Sequence, residues 1–413
     1  MSADLSTPSS DVPAAKPEAA VGRPPAVLQV LPALVTGGVE RGTVEITQAL
    51  VKAGWRAVVA SAGGGMAREI ERAGGTHVTL PLKTKNPLGI RRNIGRLAAL
   101  IERENIDLVH ARSRAPAWSA YFAARRTGRP FMTTFHNVYG GKGRFKRWYN
   151  SIMARGVRVI AISEFVGRAA TKSYGVEEDR LRVIPRGVDL IRFDPETVHP
   201  SRLVQLAKEW QIKDGVPIVM LPGRVTRWKG HAELLRAVQR LPHRDFQVVF
   251  VGNHEQKPKF RDELVRLVKQ LGLQGHVQMV GDCRDMAAAF MLADVVVSAS
   301  TEPEGFGRIA VEAQAMGRPV VATDHGGSRE TVLPGVTGWL VPPGDRGALA
   351  KAIGEALALT PEARAELAAN ARALMISHFD TALMCQATLD VYTEILFPDA
   401  EIMTTAPLES VLG

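Results

Sequence analysis

A chain of 413 residues, 46% of them apolar, is long enough for two domains, yet no apolar run is long enough to span a bilayer, so no transmembrane helix is expected. Cys283 and Cys385 lie far apart and match no metal-ligand spacing, which favours a reducing, cytoplasmic home. The net charge of +10 is concentrated: residues 82–155 hold 16 Lys and Arg against 3 Asp and Glu, leaving the rest of the chain slightly acidic.

In chain order, residues 1–25 are rich in Pro, Ala and Ser, lack the apolar core of a signal peptide, and read as a disordered tail. Short apolar strands then alternate with helical patterns: 27–31, 57–60, 108–110, 131–134 and 157–161 read as strands. Thr36-Gly37-Gly38-Val39-Glu40-Arg41-Gly42 follows the first strand and opens a helix. It is a candidate phosphate or substrate loop, although a strand-to-helix turn wants glycine in any case and the dinucleotide fingerprint spacing is missing. His136, at a strand's carboxyl end, is a candidate for contacting substrate, and His110 ends another strand, where substrate or a buried structural role are both open.

The basic stretch places Arg91, Arg92 and Arg96 on one helical face and then mixes cations with aromatics in Arg144-Phe145-Lys146-Arg147-Trp148. That mixture suits an anionic membrane or glycolipid surface. None of the usual nucleic-acid motifs appears, so nucleic acid is not expected as a partner. Residues 194–211 are polar and Pro-containing at first and read as a hinge, dividing a first domain, 26–205, from a second, 206–380.

The alternation restarts with strands 217–221, 247–251, 277–280, 295–297 and 319–322. Pro222-Gly223-Arg224-Val225-Thr226-Arg227-Trp228-Lys229-Gly230 precedes an amphipathic helix and puts cations at a helix start, where they are unfavourable unless an anion is bound there. Arg224 and Lys229 suit a diphosphate, and as loop and helix-start cations they are expected to matter little for folding. Glu304 and Glu312, with seven residues between them, flank the Gly305-Phe306-Gly307 turn. The turn leaves backbone N–H groups at a helix start, and the two carboxylates can address two parts of one ligand. A bland alternative pairs Glu312 with Arg308 on the helix surface. His325 lies in a further strand-to-helix turn, and a helical pattern over 381–400 is expected to pack back across the hinge. No His-Glu-x-x-His, Asp-x-Asp or Cys cluster occurs, so no metal site is expected.

Such alternation calls for an α/β protein of two doubly wound, Rossmann-like parallel-sheet domains, with ligand at the carboxyl ends of the strands. With these residues in hand, the chain from Val27 to about Pro398 resembles the retaining glycosyltransferases of family 4, which have the two-domain GT-B fold. The most specific part, from Glu304 to Gly327, looks like the family's donor segment, and the Arg186-Gly187-Val188-Asp189 form looks closest to bacterial enzymes of lipopolysaccharide and surface-polysaccharide assembly. Many members carry Asn where this chain has Arg186.

The resemblance implies that Arg224 and Lys229 bind the donor diphosphate, that Glu312 holds the ribose, and that Glu304 bonds sugar hydroxyls. It places the backbone of Phe306, Gly307 and Arg308 at phosphate and sugar, His136 at the transferred sugar, and Gly38 near the phosphate. No cofactor or metal is implied beyond a UDP- or GDP-linked sugar as substrate. The activity implied is transfer of a hexose, with retention, to a glycolipid or polysaccharide acceptor, by a cytoplasmic enzyme peripheral to the inner face of the cytoplasmic membrane. Two alternatives are a nucleotide-sugar 2-epimerase of the same fold and a non-catalytic nucleotide-sugar-binding module.

Overall fold

The computed structural model describes residues 23–35, 37–140, 143–255 and 257–399. The expected tail therefore lies outside the described residues except for 23–25, as do Thr36, Lys142 and residue 400.

The strands form two sheets. In the first, β1 (Ala26–Val30), β2 (Arg56–Ser61), β3 (Thr76–Thr79), β4 (Leu108–Ala111), β5 (Phe131–Phe135), β6 (Val159–Ala161) and β7 (Leu181–Val183) lie in the order β3-β2-β1-β4-β5-β6-β7. In the second, β8 (Ile218–Pro222), β9 (Gln247–Val251), β10 (Val277–Met279), β11 (Val295–Ser298), β12 (Val320–Thr323) and β13 (Gly338–Val341) lie in the order β10-β9-β8-β11-β12-β13. Pairing is parallel throughout the second sheet, for example Ile218↔Gln247 and Val296↔Val320. Helices connect the strands, as parallel pairing requires.

The central strands β1, β8, β9 and β11 are buried along their whole length because helices cover both faces, which is why they read as apolar runs, interrupted in β1 by buried Gln29. Around β8, β9 and β11, Val219, Leu221, Val248, Phe250, Val295 and Val297 form one core with Leu234, Leu235 and Ile353 of the flanking helices. The edge strands β3, β7, β10 and β13 are short and partly exposed.

The chain divides into two compact units that do not follow chain order. Unit 1 holds the described residues up to 134, 143–159 and 389–399, while unit 2 holds 135–140 and 160–388. Residue 205 falls inside a helix, Pro200–Glu209, started by proline and capped by the His199 side chain. The stretch read as a hinge is thus a 3₁₀ turn, Pro195–Thr197, followed by that helix. The last helix, Thr381–Leu396, begins in unit 2 and belongs from Leu389 to unit 1, where Tyr392 meets His110 and Glu394 pairs with Arg158. No helix among the described residues is long and apolar enough to cross a membrane.

Candidate active site

In the second sheet the strand order reverses between β8 and β11, and the carboxyl ends of strands at such a reversal are the place where open α/β sheets bind ligands. The loop after β8 carries Arg224 and Lys229. The loop after β11 carries Glu304. Gly223, at φ 133°, and Gly230, at φ 78°, turn the first loop, and a Cβ on Gly230 would meet the Ala299 carbonyl oxygen at 1.8 Å. Only glycine lets the two loops approach so closely.

Lys229 Nζ donates to Glu304 Oε1 at 2.8 Å, with the two side chains 11% and 12% exposed. The ammonium also lies 4.6 Å from the Trp228 ring centre. Ser300 Oγ donates to the same carboxylate oxygen, and Ser298 Oγ reaches it at 3.4 Å. Burial pushes the Glu304 carboxyl up, but the Lys229 charge and the hydrogen bonds of Lys229, Ser300 and Ser298 outweigh it and hold the group below its usual range. Lys229 is therefore half of a nearly buried pair, at odds with the expectation that a helix-start cation here matters little for folding. Arg224 is exposed, as expected.

The turn after Glu304 is built by backbone contact. Gly307, at φ 91°, precedes the helix Arg308–Ala315, and no side chain caps that helix. Gly327 N donates to the Glu304 carbonyl at 2.9 Å. A Cβ on Gly326 would lie 2.4 Å from that carbonyl oxygen, and one on Gly327 would lie 2.5 Å from Phe306 Cα. On the other side Ser163 Oγ donates to the Gly305 carbonyl at 2.6 Å, and a Cβ on Gly305 would come within 3.0 Å of the His136 carbonyl oxygen. Glu330, just beyond Gly327, accepts from the N–H groups of Glu164 and Phe165 at 2.8 and 2.7 Å, capping the start of a second helix, Glu164–Tyr174. About one helical turn into the helix Arg308–Ala315, Glu312 pairs with Arg308 at 3.0 Å.

Unit 2 thus gathers His136, Arg224, Lys229, Glu304, Phe306, Gly307, Arg308 and Glu312 from three separate stretches of chain. Arg186, 5% exposed, places Nη2 3.1 Å from His136 Nδ1. Ser163, Ser298, Ser300, Gly326 and Gly327 also belong to this site; Gly326 and Gly327 fall inside the segment that resembles the family, while the only signal for Ser298 and Ser300 was their place at a strand end. The remaining residues lie in unit 1. Gly38 opens the helix Gly38–Lys52, and Arg144, Lys146, Arg147 and Trp148 lie on the helix Arg144–Asn150. On that helix Phe145 is 76% and Trp148 52% exposed, and Trp148 stacks on Trp118 at 4.6 Å. His110 is structural: fully buried, with Nδ1 2.7 Å from Tyr392 Oη and Nε2 2.7 Å from Thr134 Oγ1. Burial first, and then Arg112, hold it well below the usual histidine range. Among the described residues no group of His, Cys, Asp and Glu has the arrangement of a metal site.

Two parallel sheets, with a cation–carboxylate cluster and an uncapped helix start at a strand-order reversal in the second, define a doubly wound α/β architecture of the GT-B type. Residues 36–192 match the family described as Glycosyltransferase Family 4, and residues 205–374 match Glycosyl transferases group 1. A D-inositol 3-phosphate glycosyltransferase of Xylanimonas cellulosilytica is 32% identical over 310 residues, covering 70% of this chain and 72% of that protein. A glycosyltransferase structure from Rickettsia africae superposes with a TM-score of 0.85 at 39% identity, over 91% of this chain and 99% of the other. The Anabaena HepE structure, in complex with UDP and glucose, shares the fold with a TM-score of 0.78 at 24% identity, over 89% and 99% of the two chains. The chain belongs to the group 1, family 4 glycosyltransferases, and it is a glycosyltransferase of the GT-B fold.

Proposed function

We propose that the protein transfers a hexose from a UDP- or GDP-linked donor to a glycolipid or polysaccharide acceptor, retaining the anomeric configuration, in assembly of a cell-envelope glycan such as lipopolysaccharide. The observation that carries this reading is the Lys229–Glu304 pair beside exposed Arg224 and the uncapped helix start at Gly307. Transfer must stabilise a departing diphosphate while positive charge grows at the sugar carbon. Arg224, Lys229 and the backbone N–H groups of Phe306, Gly307 and Arg308 meet the first need by fixed positive charge and dipoles. Glu304 orients the sugar hydroxyls, His136 faces the sugar, and Glu312 holds the ribose. The leaving phosphate oxygen takes the acceptor's proton on the face from which it departs, so retention needs no protein nucleophile. Charge neutralisation rests on the chain's own groups, and activity should persist in EDTA.

The acceptor side of the proposal rests on unit 1. The helix Arg144–Asn150 has no acidic residue, and it presents Phe145 and Trp148 among Arg144, Lys146 and Arg147. An exposed aromatic pair ringed by cations fits the anionic inner face of the cytoplasmic membrane, where a lipid-linked acceptor would be met.

The test is a panel of UDP- and GDP-sugars, read by thermal shift and by NMR of the anomeric product. A bound donor raises stability by mass action, and transfer or slow hydrolysis should give the retained anomer. Failure of every nucleotide sugar to stabilise the chain, or an inverted product, would overturn the reading.

A further inference from the structure

Arg186 is held on a rigid support. Val188 N donates to the Phe379 carbonyl at 2.7 Å, and Thr381 N donates to the Val188 carbonyl at 3.0 Å. Between them, a Cβ on Gly187 would lie 2.3 Å from Thr381 Cα, so the backbone beside Arg186 cannot shift outward. From this support the 5% exposed guanidinium reaches His136 Nδ1 at 3.1 Å. A guanidinium has five N–H donors and no acceptor. Nδ1 must then be the accepting nitrogen, and a neutral ring bonded in this way carries its proton on Nε2, since the bond at one nitrogen sets the tautomer at the other. Protonating Nδ1 would break the bond and set a second cation beside the first.

We infer that Arg186 is a positioning residue that fixes His136 as the neutral Nε2–H tautomer, making His136 a hydrogen-bond donor to an oxygen of the transferred sugar and not a base. The inference deepens the proposed function, resting on its placement of His136 at the sugar. Nε2 is buried, and the His136 carbonyl lies against the Gly305 backbone, one residue from Glu304, the acceptor on the same site. A donor and an acceptor on one sugar discriminate hydroxyl pattern more sharply than either alone, because a mismatched sugar leaves a buried polar group unpaired. An Asn at position 186 could present its carbonyl oxygen to Nδ1 and fix the opposite tautomer. Arg removes that choice.

The experiment uses the full chain labelled with ¹⁵N-histidine, with the His136 ring signals assigned by their loss in His136→Gln. Long-range ¹H–¹⁵N correlation at neutral pH should show Nδ1 as the unprotonated nitrogen and Nε2 as the protonated one. Arg186→Lys, which still only donates, should keep that pattern, whereas Arg186→Asn should mix or reverse it. kcat with the best donor should fall roughly 5- to 10-fold in Arg186→Asn, the scale of one neutral hydrogen bond, with a smaller change in donor KM. A wild-type ring protonated at Nδ1, or an Arg186→Asn ring identical to wild type, overturns the tautomer assignment. A changed ring with unchanged kcat and unchanged sugar preference overturns its functional consequence. Wild-type turnover in His136→Gln would instead sink the placement of His136 at the sugar, while the wild-type spectrum still reports on Arg186.

Discussion

Replacing Lys229 with Ala tests the paired cluster most directly. The change removes the ammonium from a carboxylate that is 12% exposed and leaves Glu304 with the Ser300 and Ser298 hydroxyls. Removing one member of a buried pair costs about 3–5 kcal/mol when the other charge is stranded. Glu304 is not wholly sealed, keeps its serine bonds, and can escape by taking a proton at about 1.4 kcal/mol per pH unit, which lowers the expected cost to about 2–3 kcal/mol at neutral pH. Glu304 has a depressed native pKa, so its stabilising contribution is complete above the usual carboxylate range and is lost as pH falls through the lower native value. The deficit of Lys229→Ala relative to wild type should therefore shrink as the buffer is made acid. The double change Lys229→Ala with Glu304→Gln should recover most of the loss at neutral pH, since no charge is left unpaired. Urea unfolding followed by a probe in unit 2 measures all of these. A Lys229→Ala variant as stable as wild type at neutral pH, or one that the second change does not rescue, would refute the reasoning.

The acidic pair should separate by kinetics: Glu304→Gln should lower kcat by roughly 10²-fold while leaving nucleoside diphosphate binding intact or tighter, because it releases Lys229 to the phosphates. Glu312→Gln should chiefly raise donor KM and weaken the free nucleotide, and calorimetry showing the opposite assignment would reverse the two roles. Full-length protein should sediment with vesicles containing phosphatidylglycerol and not with zwitterionic ones, and changing Arg144, Lys146 and Arg147 together to Gln should weaken binding by roughly 10²-fold at about 1 kcal/mol per cation. Binding unaffected by that change or by Phe145→Ser with Trp148→Ser would remove the membrane assignment. His231, fully buried and edge-on to Phe250 at 4.9 Å, has its pKa lowered from 6.5 to about 4, by burial first, against the Thr226 backbone and with the Lys229 charge. The unfolded chain binds a proton in that window, so stability is full above 6.5 and falls towards pH 4 by up to roughly 3 kcal/mol. His231→Leu should flatten that part of the stability profile, and an unchanged slope would contradict the assignment.

The sequence made legible what hydrophobic runs and glycine turns encode. β9 matches residues 247–251 as read, and β8, β11 and β12 lie within a residue or so of their expected bounds, because strands buried on both faces leave unbroken apolar runs. β3 and β7 went unread because half-exposed edge strands such as Thr76–Thr79 carry no such run, and β13 because its apolar stretch, Trp339-Leu340-Val341, is only three residues long. The helix Pro200–Glu209 was taken for hinge because proline and polar residues mark both a turn and a helix start. At the site, the charged residues were legible by type and spacing, but their mutual pairing was not. Nothing local to Lys229 points 75 positions along the chain to Glu304. Arg186 likewise reads as an oddity in a motif until the fold brings it to His136.

The glycines around Glu304 bear on how the site could be diversified. Because Gly326 and Gly327 press directly on the backbone of Glu304 and Phe306, and Gly305 on that of His136, this wall of the site is main chain against main chain. A saturation library here should return almost nothing but glycine at 305, 326 and 327, yet tolerate wide variety at the exposed Thr301, Glu302 and Pro303. Altered sugar preference is therefore to be sought in side chains that project from the wall, such as those of residues 136, 186 and 298. Under the proposed function, the wall acts as a fixed gauge, setting the same depth for any sugar admitted.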